Sequence, residues 1–126
     1  MKLNDIKSID IGGDLLEHYW PEDDECFYEW LTISIGVKGR EGAVNYNLMV
    51  CTPDWLKKEL TTGAKWGRHM LIINKFSPEK IKKEINKKVS ELLLEFSNFD
   101  DDSFPEKIGR YAYWEFEDYS KEQNNR

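Results

Sequence analysis

Acidic side chains are the residues of this sequence whose types and spacing come nearest to a site for chemistry. Near the C-terminus, YAYWEFEDYS (residues 111–120) sets Glu115, Glu117 and Asp118 among aromatic residues. On a helix Glu115 and Asp118 would share one face, and two carboxylates on one face can hold a magnesium ion. Nothing nearby in the sequence supplies a general base or a substrate clamp, so this pair does not predict catalysis.

A metal or catalytic site is not favoured elsewhere either. Asp100, Asp101 and Asp102 are consecutive, and they lack the alternating spacing and fixed glycine of a calcium loop. His18 and His69 are the only histidines, too few for a typical zinc site without cysteine ligands. The sequence has no nucleophile elbow and no phosphate-binding glycine loop. We therefore expect a protein that is not an enzyme and needs no cofactor or metal.

The lysines of the central segment raise the alternative of nucleic-acid binding. Bases outnumber acids from Lys57 to Lys88, and several of these lysines surround the apolar stripe of a predicted helix. Such lysines are the usual solvated face of an amphipathic helix, and no aromatic residues that could stack on bases lie among them. The whole chain carries a net charge of −6, which repels phosphate. We predict no binding to nucleic acid.

Hydropathy and cysteine usage bear on the compartment. No apolar run approaches the ~20 residues of a membrane-spanning helix, so no membrane association is expected. The N-terminus, MKLNDIKSIDIGG, lacks the continuous apolar stretch of a signal peptide. Cys26 and Cys51 lack metal-ligand spacing and lie in strand-like surroundings. We expect two buried free thiols in a reducing cytosol, with a disulfide as the alternative.

Four segments have the alternation of β-strands. They are residues 3–11, in which Ile6 is out of step, 27–39, 43–52 and 67–76. The second and third flank a turn with two glycines and form a hairpin, each with an apolar row opposite a more polar one. The fourth is apolar on both sides, which predicts cover on both faces of the sheet. The acidic stretch between the first two contains paired glycines and a proline and predicts a loop.

Three helix starts are recognisable. Thr52 precedes Pro53 and can cap a short helix that ends near Gly63. Residues 77–96, SPEKIKKEINKKVSELLLEF, carry apolar residues at helical spacing and give the clearest amphipathic helix in the chain. A third start, residues 103–106, places a serine and a glutamate at capping-box spacing.

This order of elements predicts an α+β fold, with an antiparallel sheet of about four strands and two to three helices packed on one face. The chain of 126 residues is expected to form one domain over residues 1–119, with residues 120–126 as a flexible tail. Within this fold we expect the aromatic residues of 111–120 to be divided between core and surface, with the neighbouring acids on the surface.

The charges are unevenly distributed along the chain. Acids occur without lysine or arginine from Asp14 to Glu29, and they dominate again from Glu95 to Asp118. These stretches form one acidic face if they meet in space, although charge runs are also the ordinary solvated surface of a globule. Exposed aromatic residues beside acids are typical anchors for a basic protein partner. The residues therefore favour a protein-binding function.

Three motifs point to a family. VCTPDWL (50–56), GRHMLII (67–73) and YWEFEDY (113–119), in this order, resemble the immunity protein 8 family of bacterial polymorphic toxin and contact-dependent inhibition systems. The resemblance covers nearly the whole chain. It implies a small α+β cytoplasmic protein, encoded beside a secreted or contact-delivered toxin, that neutralises this toxin by direct stoichiometric binding. It implies no enzymatic activity and no cofactor.

The resemblance does not say which residues touch the toxin. Trp55, Gly67 and Trp114 are shared with the family and can serve the fold, whereas toxin contacts of immunity proteins generally fall on residues that differ between relatives. We therefore expect an acidic face that docks on the C-terminal domain of a basic toxin, with a nuclease as the candidate, plugging its active site or covering an adjacent exosite. The expected contact residues are Glu22, Asp23, Asp24, Glu25, Asp100, Asp101, Asp102, Glu115, Glu117 and Asp118.

Two alternatives stay open. One is a non-enzymatic regulatory or partner-binding module unrelated to a toxin. The other concerns the contact surface, because a toxin with an acidic contact surface would make the lysines of the long helix the better candidates.

Overall fold

The structure, a computed structural model, describes residues 4–37, 39, 41–95 and 108–114. The strands among these residues are β1 (Asn4–Ile11), β2 (Asp14–Leu15), β3 (Tyr28–Val37), β4 (Val44–Cys51), β5 (Met70–Ile72) and β6 (Tyr113–Trp114). The α-helices are α1 (Pro53–Glu59) and α2 (Pro78–Glu95). Two short 3-10 helices span Leu16–His18 and Leu60–Thr62.

All six strands belong to one sheet with the order β2-β1-β3-β4-β5, and β6 also pairs with β4. The β1–β3 and β3–β4 pairs are antiparallel, whereas β5 runs parallel to β4. The α+β class is confirmed. The described residues hold more strands than the expected four or so, because β2 and β6 are two residues long and too short to show alternation.

The irregular alternation in β1 has a structural cause. The register with β3 shifts between Ile6 and Ser8, so that Ile6 pairs with Ile35 and Ile9 pairs with Ile33. A β-bulge of this kind inserts one extra residue and restores the same face on both sides of it. Ile6 therefore packs against the core beside Ile9, although the two are an odd number of residues apart.

Helix α2 contributes the apolar stripe that its sequence predicts. Ser77 caps the helix, because its Oγ accepts a hydrogen bond from the Lys80 N–H at 3.2 Å. The stripe lies in the core, and its described members are Ile81, Ile85, Val89 and Leu92. The same core holds one face of the β3–β4 hairpin, namely Leu31, Ile33, Ile35, Tyr46, Leu48 and Val50. Phe96, at the end of the predicted stripe, lies outside the described residues.

Several local predictions are wrong in detail. The stretch predicted to be a loop after β1 contains β2 and a 3-10 turn, and its Leu16 is fully buried. The fourth predicted strand is only three residues long, and its Ile72 is 53% exposed rather than covered. His69 does not belong to this strand, since it precedes β5 with a φ of 55°.

The predicted third helix cannot include the whole aromatic segment. Tyr113 and Trp114 form β6 and pair with Asn47 and Tyr46 of β4, so no helix runs through these two residues. The capping-box residues Ser103 and Glu106 and the tail 120–126 lie outside the described residues.

Thr52 occupies the N-cap position of α1, but its side chain does not cap the helix. The Oγ1 atom instead accepts a hydrogen bond from the Phe27 N–H at 3.2 Å, and the Thr52 N–H donates to the Phe27 carbonyl oxygen at 3.2 Å. Thr52 is fully buried. It thereby extends the β3–β4 pairing by one residue and fixes where α1 leaves the sheet.

Replacing Thr52 with valine is expected to lower the free energy of unfolding by about 1–3 kcal/mol, because the buried Phe27 N–H loses its side-chain acceptor while the side-chain volume is retained. Urea denaturation measures the effect. Thr52→Ser keeps the hydroxyl and serves as the control. Equal stability of the valine and serine variants would contradict a stabilising role for this hydrogen bond.

Candidate partner-binding surface

Helix α2 covers one face of the sheet, and the opposite face, called the open face here, carries the more polar row of the hairpin. Tyr28, Trp30, Thr32 and Ser34 of β3 point to this side. Their partners in β4 are Cys51, Met49, Asn47 and Asn45. Tyr28 and Trp30 are 48% and 41% exposed, so two large aromatic side chains lie on the surface of the sheet.

Cross-strand hydrogen bonds hold the polar part of the open face. The Thr32 hydroxyl donates to Asn47 Oδ1 at 3.0 Å, and the Ser34 hydroxyl donates to Asn45 Oδ1 at 2.6 Å. Such pairs on one face stabilise the pairing of antiparallel strands. They also fix the positions of the polar side chains that lie beside the aromatic residues on the open face.

The aromatic residues of the open face form two pairs. The rings of Trp30 and Tyr113 have centroids 6.1 Å apart, and with Asn47 they line a depression of about 400 Å³. Tyr28 lies on Trp55 of α1 with centroids 4.6 Å apart. Exposed aromatic pairs of this kind are typical centres of protein interfaces, because they bury a large area at low cost in conformational entropy.

The predicted acidic contact residues 22–25, called the acidic loop here, are held in a defined conformation. Asp23 Oδ1 accepts hydrogen bonds from the backbone N–H groups of Glu25 and Cys26, at 3.0 and 3.2 Å. The Asp24 carboxylate is 3.6 Å from Lys75 Nζ. Asp23 and Asp24 therefore have local structural roles, whereas the side chains of Glu22 and Glu25 are exposed and form no hydrogen bond or ion pair with described residues.

Phe76 anchors the acidic loop to the rest of the fold. Its backbone N–H donates to the Asp24 carbonyl oxygen at 2.7 Å. Its ring makes edge-to-face contacts with Tyr19, Trp20 and Phe27, at centroid distances of 5.6, 4.9 and 5.3 Å. We call these four residues the aromatic cluster. Trp20, at the edge of this cluster, is 62% exposed. A large apolar side chain therefore lies on the surface two residues before Glu22.

The acidic loop is continuous with the open face through α1. Asp23, Glu25 and Cys26 share a shallow depression of about 440 Å³ with Asp54, Lys57, Lys58 and Thr61. The next residue of α1, Trp55, is the one that stacks on Tyr28. The depression is therefore lined by both acids and lysines, and Glu22 does not belong to its lining.

The other predicted contact residues, Asp100, Asp101, Asp102, Glu115, Glu117 and Asp118, lie outside the described residues. The structure brings Asp23 and Glu25 of the acidic loop together with Asp54, which the sequence did not indicate. It also adds Tyr28 and Trp30, whose signal in the sequence was the presence of aromatic residues in the polar row of a strand.

The lysines of α2 are largely engaged within the molecule. Lys82 Nζ lies 2.7 Å from Glu17 Oε1, and the hydrogen bond of this pair holds the pKa of the Glu17 carboxyl below its ordinary value. Lys80 Nζ donates to Asn74 Oδ1 at 2.7 Å. Lys88 Nζ lies 4.5 Å from the centre of the Tyr111 ring. Lys83 and Lys87, the other two lysines of α2, are exposed.

The cysteines and histidines do not form a reactive site in the described part of the chain. Both thiols are free, and burial raises the pKa of Cys51, while Cys26 is partly exposed rather than buried as expected. His69 is buried with its ring 4.1 Å from that of Tyr113. Among the described residues, no three His, Cys, Asp or Glu side chains are grouped so that they could hold a metal ion. No helix described in the structure has the length and apolar character to cross a membrane.

Comparison with known proteins gives one match. Residues 4–119 match the model of the family described as Immunity protein 8. No significant match is found among curated proteins or among solved structures.

Proposed function

The chain belongs to the Immunity protein 8 family, and from this premise we propose that it neutralises a cognate bacterial toxin by binding it in a one-to-one complex in the cytoplasm. The partner is the C-terminal domain of a secreted or contact-delivered toxin. The protein acts by occupying a surface of the toxin and not by chemistry of its own.

The observation that carries this proposal beyond the family is that the acidic loop exposes carboxylates near exposed aromatic residues. Glu22 and Glu25 project from a loop that the aromatic cluster and the Asp23 hydrogen bonds hold in place. A loop whose backbone is already held in place loses little conformational entropy on binding. Exposed carboxylates accelerate association with a positively charged partner, especially at low salt.

The partner that suits this surface is a basic toxin, and a nuclease is the candidate. A nuclease active site must hold phosphate, which requires a concentration of positive charge. The acidic loop fits such a site as a plug, or it fits an adjacent basic exosite whose occupation keeps the substrate out. The same charge argument applies to any toxin with a basic surface, and a nuclease is one member of that class.

Co-expression with the toxin domain encoded beside this gene tests the proposed function. We expect the toxin domain alone to stop growth and the pair to restore colony counts by at least about 100-fold, with a one-to-one complex in size-exclusion chromatography coupled to light scattering. An unrelated toxin domain is the control, because it should not be neutralised. Neither rescue nor a complex would contradict the proposal and favour a partner-binding module unrelated to a toxin.

A further inference from the structure

The open face carries a half-buried carboxylate that has no partner among the described residues. Asp10 lies opposite Thr32 in the β1–β3 pairing, which places its side chain on the open face. It forms no hydrogen bond or ion pair with any described residue. A carboxylate that is partly removed from water and unpaired is stabilised by a cation that arrives from outside.

Trp30 lies beside this carboxylate. The Gly12 N–H donates to the Trp30 carbonyl oxygen at 3.1 Å, so Gly12, the residue directly after β1, lies across from Trp30. Gly12 has no side chain that could lie over the indole on this side. Asp10 is two residues from Gly12, which makes it the diagonal neighbour of Trp30, within reach of one long side chain that contacts both.

An exposed leucine completes the surroundings of Asp10. Leu15 of β2 pairs with Asp10 and is 47% exposed. In the register of the sheet, Asp10 therefore has Leu15 opposite it on β2 and Thr32 opposite it on β3, with the indole of Trp30 as its diagonal neighbour. This combination matches the shape of an arginine or lysine, which has an apolar stem and a charged end.

Two other rings at the open face have cations of this chain beside them. Lys65 Nζ lies 5.6 Å from the centre of the Trp55 ring, and Arg68 Cζ lies 5.3 Å from that of Tyr113. No described cation lies over Trp30. Among the described residues, basic side chains therefore lie beside rings of α1 and β6, and the Asp10 carboxylate lies on β1.

We propose that Trp30, Asp10 and Leu15 form a docking site for one arginine or lysine side chain of the toxin. The stem of that side chain packs on the indole and on Leu15, and its charged end pairs with the Asp10 carboxylate. This inference rests on the proposed function and deepens it, since it states where a basic segment of the toxin is anchored. Tyr28, on the same face two residues before Trp30, contacts Trp55 of α1, which follows Asp54 of the depression beside the acidic loop.

Binding measurements with the toxin domain encoded beside this gene test the site. We expect Trp30→Ala to weaken the Kd about 30-fold, which is the loss typical of a central interface tryptophan. Asp10→Asn should weaken it about 10-fold and should make the Kd less dependent on salt. Trp66→Ala is the matched control, because Trp66 is 98% exposed and lies between α1 and β5, and its Kd should stay within about 2-fold of the unmodified protein.

Oxidative footprinting of the unmodified complex provides a readout that does not depend on how a variant folds. Trp30 should be protected by the toxin domain, and Trp66 should not. Unchanged Kd values for both variants, or an unprotected Trp30, would overturn the docking site while leaving the proposed function in place. A wild-type protein that neither binds nor rescues would remove the proposed function, and the docking site with it.

Discussion

Replacing Phe76 with alanine should lower the free energy of unfolding by about 3–5 kcal/mol, the largest stability effect we expect from a single substitution in this chain. The Phe76 ring is 2% exposed and contacts three other aromatic rings, Tyr19, Trp20 and Phe27. Its removal leaves a cavity that these side chains cannot fill without moving. Denaturant unfolding followed by circular dichroism measures the loss.

The same substitution should affect binding, because Phe76 connects the acidic loop to the core. Its backbone N–H to the Asp24 carbonyl remains, but the side chain that fixes Tyr19 and Trp20 is lost. The control, Phe76→Leu, keeps most of the buried volume. We expect it to lower the free energy of unfolding by only about 1–2 kcal/mol. If Phe76→Ala lowered the free energy of unfolding by less than about 1 kcal/mol, the aromatic cluster would not anchor the acidic loop.

The second large effect concerns binding. A double charge reversal, Glu22→Lys with Glu25→Lys, should weaken the affinity for the toxin domain about 10- to 100-fold at low salt, chiefly through slower association. These two residues are the members of the acidic loop that project into solvent without structural contacts to described residues. The fold should be unaffected, since Asp23 and Asp24 keep their contacts. Stopped-flow or surface-based kinetics at two or more salt concentrations give the association rate.

The matched control is Glu41→Lys with Glu84→Lys. Glu41 lies between β3 and β4, Glu84 lies on α2, both are exposed, and the net charge changes by the same amount. If the reversal acted only through net charge, both double variants would slow association equally. That result would contradict the acidic loop as the contact surface, whereas a selective effect of the first variant supports it.

The acidic loop and the docking site around Trp30 are expected to act in different steps. Charges at the margin of an interface mainly set the association rate, whereas a desolvated aromatic residue near its centre mainly sets the dissociation rate. Reversal of Glu22 and Glu25 should therefore change the rate of encounter and its salt dependence. Loss of the Trp30 side chain should shorten the lifetime of the complex.

Local patterns in the sequence determined much of the fold. The alternation in residues 27–39 and 43–52 predicted the β3–β4 hairpin and its buried row correctly, because neighbouring residues of a strand point to opposite faces whatever the partner is. The spacing in residues 77–96 predicted α2 and its buried stripe for the same kind of reason. The three motifs predicted the family, and the family model matches residues 4–119.

Only the tertiary structure decided which surfaces are available to a partner. Periodicity assigned Trp30 to the more polar row of its strand, but whether that row is covered depends on where α2 packs, which is a non-local outcome. Thr52 had the sequence of a helix cap, and its hydroxyl instead bonds to Phe27, a residue 25 positions away. Asp10 gave no signal in the sequence. A carboxylate becomes a binding group only through the side chains beside it, and those of Asp10 come from β2 and β3, which are different parts of the chain.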